Sequence, residues 1–451
     1  MNQVYDGFSD TELQYEVAES EMRPAPLLLR ICLFGTVVLL GTVSANNVFP
    51  SQVGLFLSQA NAVVLALAVL LFGFLGCGWK IKMPPETIFT IMFVLWCLTG
   101  FAVFTYFPYF RDCFTTLVKT VGLYLMIVNL VRCRRDFIWM AFGYVCTVLL
   151  MFVMGSEIVA EEAATGIRAA GLVGDANALA TWAAIGFISM MICFTALQNK
   201  IMKILFLLLA PAFLFLVVRS GSRSGMLGMI IVIAMVYWWY IRGQVRESGG
   251  LVKLVGFLLG VALVAGIFYV IVSGQFWYRI QQTFGFGPYT YGTVEGEARV
   301  FMVKSGLIVI GRHPLLGVGY KQFMFAISEI DPGLVGSASH NTWIEAGCSS
   351  GLPGLAMWLA AYVILTRRAW KLRKNPALPL VDRGIVSMCL VFLALWWFRS
   401  LFFIHLGDKD VLPVIAGMTG YLLGLSEQYG TTQLIPYSEE AVAEECYACE
   451  T

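Results

Sequence analysis

The stretch Ile201-Met-Lys-Ile-Leu-Phe-Leu-Leu-Leu-Ala-Pro-Ala-Phe-Leu-Phe-Leu-Val-Val218 decides the fold. It holds one charge, Lys203, near its start, and no polar side chain after it. A bilayer core about 30 Å thick is crossed by about 20 such residues in a helix. Apolar runs flank it on both sides, at 176–196 and 224–241. Working outward, the same pattern predicts spans near 27–45, 53–76, 88–106, 115–131, 137–154, 251–272, 352–366, 384–404 and 411–426. The chain reads as all-α, a polytopic integral membrane protein of about 12 transmembrane helices.

Composition agrees. Of the 451 residues, 59% are hydrophobic and 13% charged, and the mean hydropathy is +0.78. Soluble domains are about 45–50% apolar and about 25% charged, so a soluble reading is excluded. The net charge of +2 says little, because sidedness matters more than the sum, and no nucleic-acid partner is expected. Most cysteines lie inside apolar segments (Cys32, Cys77, Cys97, Cys146, Cys193, Cys389), where a thiol behaves as a small hydrophobe and implies no disulfide. Residues 1–26 are rich in acid (Asp6, Asp10, Glu12, Glu16) where a cleavable signal would open with positive charge, so the first apolar run reads as an uncleaved anchor.

Lysine and arginine in the short loops set the expected orientation. With the N-terminus inside, one side holds Lys80/Lys82, Arg132/Arg134/Arg135, Lys200/Lys203, Arg242/Arg246/Lys253 and Arg367 through Arg383, and the opposite loops hold far fewer. The expected organisation is a cytoplasmic segment 1–26, transmembrane helices 1–9 over 27–272, a large external loop over 273–351 between spans 9 and 10, helices 10–12 over 352–426, and an acidic cytoplasmic tail over 427–451. The outer side nevertheless keeps Arg111, Lys119, Arg168, Arg219, Arg223, Arg279, Arg299, Arg312 and Arg399. Interfacial snorkelling explains about half of these. The rest point to an anion site at the outer face, since Arg grips phosphate with two parallel hydrogen bonds.

Four segments carry the chemistry. Arg168-Ala-Ala-Gly171-Leu-Val-Gly174-Asp175-Ala176-Asn177 enters a span, with Asp175 or Asn177 suited to cap it. Arg219-Ser220-Gly221-Ser222-Arg223-Ser224-Gly225 lies between spans and offers backbone amides, a helix N-terminus and two arginines to an anion. Glu297-Ala-Arg299 leads through apolar 300–310, too short to span, to Arg312-His313-Pro314-Leu-Leu-Gly317-Val-Gly319-Tyr320. That pattern reads as an interfacial helix ended by Pro314 and followed by a close chain reversal. Ser339-His340-Asn341-Thr342-Trp343-Ile344-Glu345 leads through Gly351-Leu352-Pro353-Gly354 into the next span. A loop histidine is usually just solvated. His340 is one of three in the chain, and it sits with outer arginines, Glu345 and Trp343.

At these residues the sequence resembles the O-antigen ligase and O-antigen polymerase family of bacterial membrane glycosyltransferases. Ser222-Arg223-Ser224-Gly225, His313-Pro314-Leu315-Leu316-Gly317-Val318-Gly319-Tyr320 and His340-Asn341 carry the resemblance, in that order, over about residues 160–370. It departs at Ala176, where the family commonly has proline before Asn177, and in the acidic tail. The resemblance implies a multi-pass protein of the bacterial inner membrane with its active site facing the periplasm. It implies transfer of a glycan from undecaprenyl diphosphate to a hydroxyl of a lipid or glycan acceptor, metal-independent and inverting, with no cofactor. A lipid diphosphate leaving group needs charge stabilisation more than protonation, and Arg168, Arg223 and Arg299, with Arg219 and Arg312, are the candidates to hold it. His340 is the candidate base for the acceptor hydroxyl, with Glu345 as helper.

Two readings from other classes compete. A transporter or flippase of a glycan pathway would place buried ionisable groups or broken helices near mid-membrane, where charges here are sparse. A scaffold contacting polysaccharide assembly proteins would use the tail. There, a lone Cys446-Tyr-Ala-Cys449 lacks a second ligand pair nearby and sits among Glu439, Glu440, Glu444, Glu445 and Glu450.

Overall fold

The computed structural model describes residues 27–44, 81–100, 107–164, 175–241, 292–330, 339–401 and 411–429. The expected spans at 53–76 and 251–272, the N-terminal segment and the tail beyond Tyr429 lie outside these residues. The described backbone is helical and contains no strand. In order come α1 (Leu27–Ser44), α2 (Pro85–Thr99), α3 (Phe107–Leu130), α4 (Arg134–Ala164), α5 (Ala176–Ala196), α6 (Lys200–Leu207), α7 (Ala210–Ser220) and α8 (Arg223–Met235). Then follow α9 (Gly292–Arg312), the short α10 (Phe323–Ala326), α11 (Thr342–Lys374), α12 (Leu380–Arg399) and α13 (Leu412–Tyr429).

Among the described residues, six stretches are long and apolar enough to cross a membrane: Cys113–Leu130, Arg134–Val153, Ala176–Ala196, Lys200–Ser220, Thr342–Lys374 and Leu380–Arg399. Their burial sorts them. In α5, 94% of the spanning window is buried, so this helix, apolar on every face, is the centre of the bundle. Around it pack α4, α7, α8 and α12. In the Lys200–Ser220 stretch only 22% is buried, and Ile201, Leu205 and Leu208 are exposed, as expected of side chains that face lipid. Pro211 in the first turn of α7 has no amide hydrogen to continue α6, and the chain turns at Leu208 and Leu209.

Hydrogen bonds tie the helix ends into two polar layers. At one end Arg30 pairs with Asp136 at 2.8 Å, both buried. There Arg368 pairs with Glu86 at 2.9 Å, Tyr421 donates to Asp382 at 2.7 Å with Arg134 3.5 Å away, and Lys82 pairs with Glu427. The opposite end is built from Asn177, Ser222, Ser224, Asn341, Arg399 and Ser400. Where short loops join described helices, as from α3 to α4, from α7 to α8 and from α11 to α12, the chain turns back within one layer and runs to the other. Where α13 crosses α3 the backbones touch. A Cβ on Gly420 or Gly424 would collide with the carbonyls of Val128, Val131 and Arg132, which is why small residues stand there.

Helices differ from the sequence-based expectation in several places: α4 runs on to Ala164, past the end expected near 154, the run at 201–218 is divided between α6 and α7, and two later helices depart further. The apolar run at 300–310 is part of a longer helix, α9, that ends at Arg312 just before Pro314 as expected. It leans on α11: Gly306 faces Ile344, Ile310 faces Gly347, and Cys348 Sγ donates to the Gly306 carbonyl at 3.3 Å. The span expected from about 352 begins at Thr342. Polar Glu345, Ser349 and Ser350 hid its first turns from a hydropathy reading, and all three are buried against neighbouring protein rather than facing lipid.

Of the cysteines named above, Cys32, Cys97, Cys193 and Cys389 are buried and unbridged, Cys146 is half-buried and unbridged, and Cys77 lies outside the described residues.

Candidate active site

The site is built from three chain segments brought to one end of the bundle. Asp175, in extended conformation, caps α5 by accepting from the Ala178 amide at 2.7 Å, so the cap falls to Asp175 rather than Asn177. Asn177 is thereby available for tertiary bonds. Its Oδ1 accepts from Ser222 Oγ at 2.6 Å.

The second segment is the turn between α7 and α8. Gly221 adopts the left-handed conformation (φ 59°) that ends α7, and Ser222 caps α8 by accepting from the Gly225 amide at 3.1 Å. Ser220 Oγ accepts from the Ser222 amide at 3.2 Å. Two of the amides that the sequence offers to an anion are thus engaged by serine hydroxyls. A Cβ on Gly225 would meet Ala180 of α5, so the glycine sets how closely α8 approaches. Arg223 occupies the first helical position of α8.

The third segment carries His340. Asn341 caps α11 by accepting from the Trp343 and Ile344 amides at 2.9 and 3.1 Å. Ser339 Oγ lies 2.9 Å from Glu345 Oε2 and 3.1 Å from the Asn341 carbonyl. Between these fixed neighbours His340 is exposed and adopts φ 51°, a left-handed conformation uncommon for a residue with a Cβ. Backbone strain of this kind costs about 1–3 kcal/mol and persists only where the surroundings over-determine it. Here the Ser339 and Asn341 side chains do so. Glu345 itself is buried, with Ser339 as hydroxyl donor.

Arg399, at the last position of α12, joins the three segments. The residue is 1% exposed. Nη2 donates to the Asn177 carbonyl at 2.7 Å and to Thr181 Oγ1 at 2.6 Å, and Nη1 reaches Ser224 Oγ at 3.4 Å. On its other side the Ser400 carbonyl accepts from the Thr342 amide at 2.8 Å, and the Leu401 carbonyl accepts from Asn341 Nδ2 at 3.3 Å. The Arg223 turn and the His340 turn are therefore connected through three consecutive residues, 399–401. Sequence reasoning had Arg399 among the outer cations but not among the site residues. The signal was faint, since Arg-Ser ends α7 as well.

A fourth segment buttresses the third. The His313–Tyr320 turn folds onto the break in α11, where Gly351 has φ 65°. The Val318 amide donates to the Cys348 carbonyl at 2.7 Å, Gly319 to Ser349 at 3.0 Å, and Leu352 to the Pro314 carbonyl at 2.8 Å. A Cβ on Gly317 or Gly351 would fall 2.5–2.6 Å from backbone atoms of the opposing strand of chain. The two glycines are required as a pair, because the carbonyls that a helix break leaves open must meet amides from outside the helix.

Among the remaining sequence candidates, Arg219 and Arg312 have partners outside the Arg399 junction. Arg219 is exposed and lies over the Phe215 ring at 5.2 Å. Arg312 is exposed, with Nη1 3.6 Å from Glu329 Oε2. Arg299 lies in α9, and Arg168 lies outside the described residues.

Lipid-facing helices around a buried central one, with ion pairs at one end and an arginine-centred junction at the other, define a multi-pass α-helical membrane protein. Within that class, residues 204–359 of the chain match the family model described as O-Antigen ligase. The matched stretch contains the Ser222–Gly225 turn, the His313–Tyr320 turn and His340. The chain is also similar to an O-antigen ligase of Pseudomonas aeruginosa, 27% identical over 171 residues. That alignment covers 38% of this chain and 36% of the relative, about a third of its length.

Proposed function

We propose that this protein is a membrane glycosyltransferase of the inner membrane that moves a glycan from undecaprenyl diphosphate to an acceptor hydroxyl at the periplasmic face. The observation that carries the reading is the Arg399 junction, which links the Arg223 turn to the His340 turn, both turns lying within the family-matched residues 204–359. A transferase of this kind needs two functions side by side: positive charge where the diphosphate leaves, and a base where the acceptor enters.

In the proposed step, His340 accepts the proton of the acceptor hydroxyl as its oxygen attacks the anomeric carbon. The bond from that carbon to the phosphate oxygen breaks, and its electron pair leaves with the lipid diphosphate. Arg223, with Arg168 and Arg299, supplies positive charge where the charge of the departing diphosphate develops. Attack from the face opposite the leaving group inverts the anomeric centre, and the protein's own residues supply the base and the anion contacts. Glu345 holds the His340 turn through Ser339 and acts as a positioning residue. The relative's name favours a ligase, with a lipid acceptor, over a polymerase extending a glycan.

The test uses purified protein and a lipid-linked donor. His340→Ala is expected to lose about 100-fold or more in transfer rate, in line with general-base contributions of about 10²–10⁴. Near-normal transfer would remove His340 as the base. Cells lacking the gene separate the acceptor classes: long polymer held on the lipid carrier means a ligase, and single repeat units on the carrier mean a polymerase. A normal glycan profile brings forward a transporter.

A further inference from the structure

The opposite end of the bundle carries a second feature. Beyond its break at Gly351, α11 runs straight on to Lys374 for about 35 Å, enough to outrun the membrane core, and its last turns hold Arg367, Arg368, Lys371, Arg373 and Lys374. Three of these are engaged. Arg368 pairs with buried Glu86, Arg373 donates to Ser387 Oγ at 3.2 Å, and Lys374 lies over the Trp370 ring at 5.0 Å. Arg367 and Lys371 are exposed and make no ion pair among the described residues. Four residues apart, they share one face of the helix.

That face forms one wall of a groove of about 430 Å³ between α11 and Ser426 of α13. Ile364 and Leu372 give it apolar surface continuous with the span, and Arg367, Arg368, Lys371 and Asn375 give it polar surface. Among the described residues no carboxylate lines it, and the nearest along α13, Glu427, is taken up by Lys82. Its edge is fixed. Asn375 Nδ2 donates to the Tyr429 carbonyl at 3.4 Å, and Arg383 donates to the Asn375 carbonyl at 3.2 Å. Two unspent cations above an apolar wall, at the level where a spanning helix leaves the bilayer, suit a phosphate attached to acyl chains better than a soluble anion.

We propose that this groove binds the phosphodiester headgroup of an anionic phospholipid in the adjoining leaflet, with Arg367 and Lys371 holding the phosphate. The assignment is independent of the transfer reaction at the other end.

The test uses the full chain in neutral detergent, titrated with phosphatidylglycerol, phosphatidylcholine or inorganic phosphate and read by native mass spectrometry. Phosphatidylglycerol is expected to bind in preference to phosphatidylcholine. Arg367→Gln/Lys371→Gln is expected to weaken it about thirtyfold, from about fivefold per cation near an anionic surface. Lys200→Gln/Lys203→Gln, at the same end but away from the groove, is expected to leave binding unchanged. Equal losses in both variants, or none in either, would mean a general basic rim and overturn the site. Phosphate binding as tightly as the lipid would make the ligand a free anion and overturn the lipid assignment. Lipid binding only after removal of residues 430–451 would make the acidic tail the occupant, and would overturn it equally.

Discussion

Replacing Arg399 tests whether the junction between the Arg223 and His340 turns matters. In Arg399→Met the length of the side chain is kept and the guanidinium is lost. Two short hydrogen bonds from a charged donor, at 2.7 and 2.6 Å, disappear. At about 1.5–3 kcal/mol each they contribute about 3–6 kcal/mol. Against this, the guanidinium of a residue 1% exposed carries a desolvation cost of several kcal/mol that methionine does not. The net loss of stability is therefore about 1–3 kcal/mol, and the bundle still folds. The local consequence is larger. Without the bonds to Asn177, Thr181 and Ser224, α8 and its N-terminal turn can move against the Ser400–Thr342 joint. A displacement of about 1 Å in a positioning element costs about 100-fold in rate. Transfer by the purified variant from a lipid-linked donor is thus expected to fall about 100-fold in kcat, with a smaller change in donor KM. Arg399→Lys keeps the charge, but one ammonium does not reproduce the planar fork, so its rate falls between the two. Size-exclusion and thermal unfolding establish that each variant is folded. A folded Arg399→Met with unchanged kcat would refute the argument, because the three segments would then be held by something else.

Two further predictions concern the frame. Gly351→Ala forces a Cβ into a conformation at φ 65° and to 2.6 Å from the Pro314 and Leu315 carbonyls, so it is expected to cost at least about 1–3 kcal/mol and lower Tm. An unchanged unfolding curve would mean that the His313–Tyr320 turn is not packed on the break in α11. At the other end, Asp136→Ala leaves Arg30 buried without its carboxylate and is expected to destabilise by about 3–5 kcal/mol. Arg30→Met/Asp136→Leu removes both charges and recovers most of that loss. A double variant no better than the single one, by denaturant unfolding in detergent, would show that the pair is not the cause.

Much of the frame was legible from local order. The run at 201–218, the cap at Asp175, the turn at Gly221 and the stop at Pro314 each depend on a few adjacent residues, so hydropathy and capping chemistry suffice to place them. The early start of α11 escaped because Glu345, Ser349 and Ser350 look like loop in a hydropathy trace, and only their neighbours in α9 and the His313–Tyr320 turn make a buried helix there. The site shows the same division more sharply. Arg219-Ser220 and Arg399-Ser400 are alike in sequence, each an arginine and a serine ending an apolar helix. Yet Arg219 lies exposed over Phe215, and Arg399 is buried against Asn177, Thr181 and Ser224. Local sequence determined that both helices end in a cation. Which cation organises the site was decided by tertiary packing: α12 lies against α5 and α8, where Gly225 and Gly228 leave room for the guanidinium and polar groups from residues 177, 181 and 224 converge to receive it.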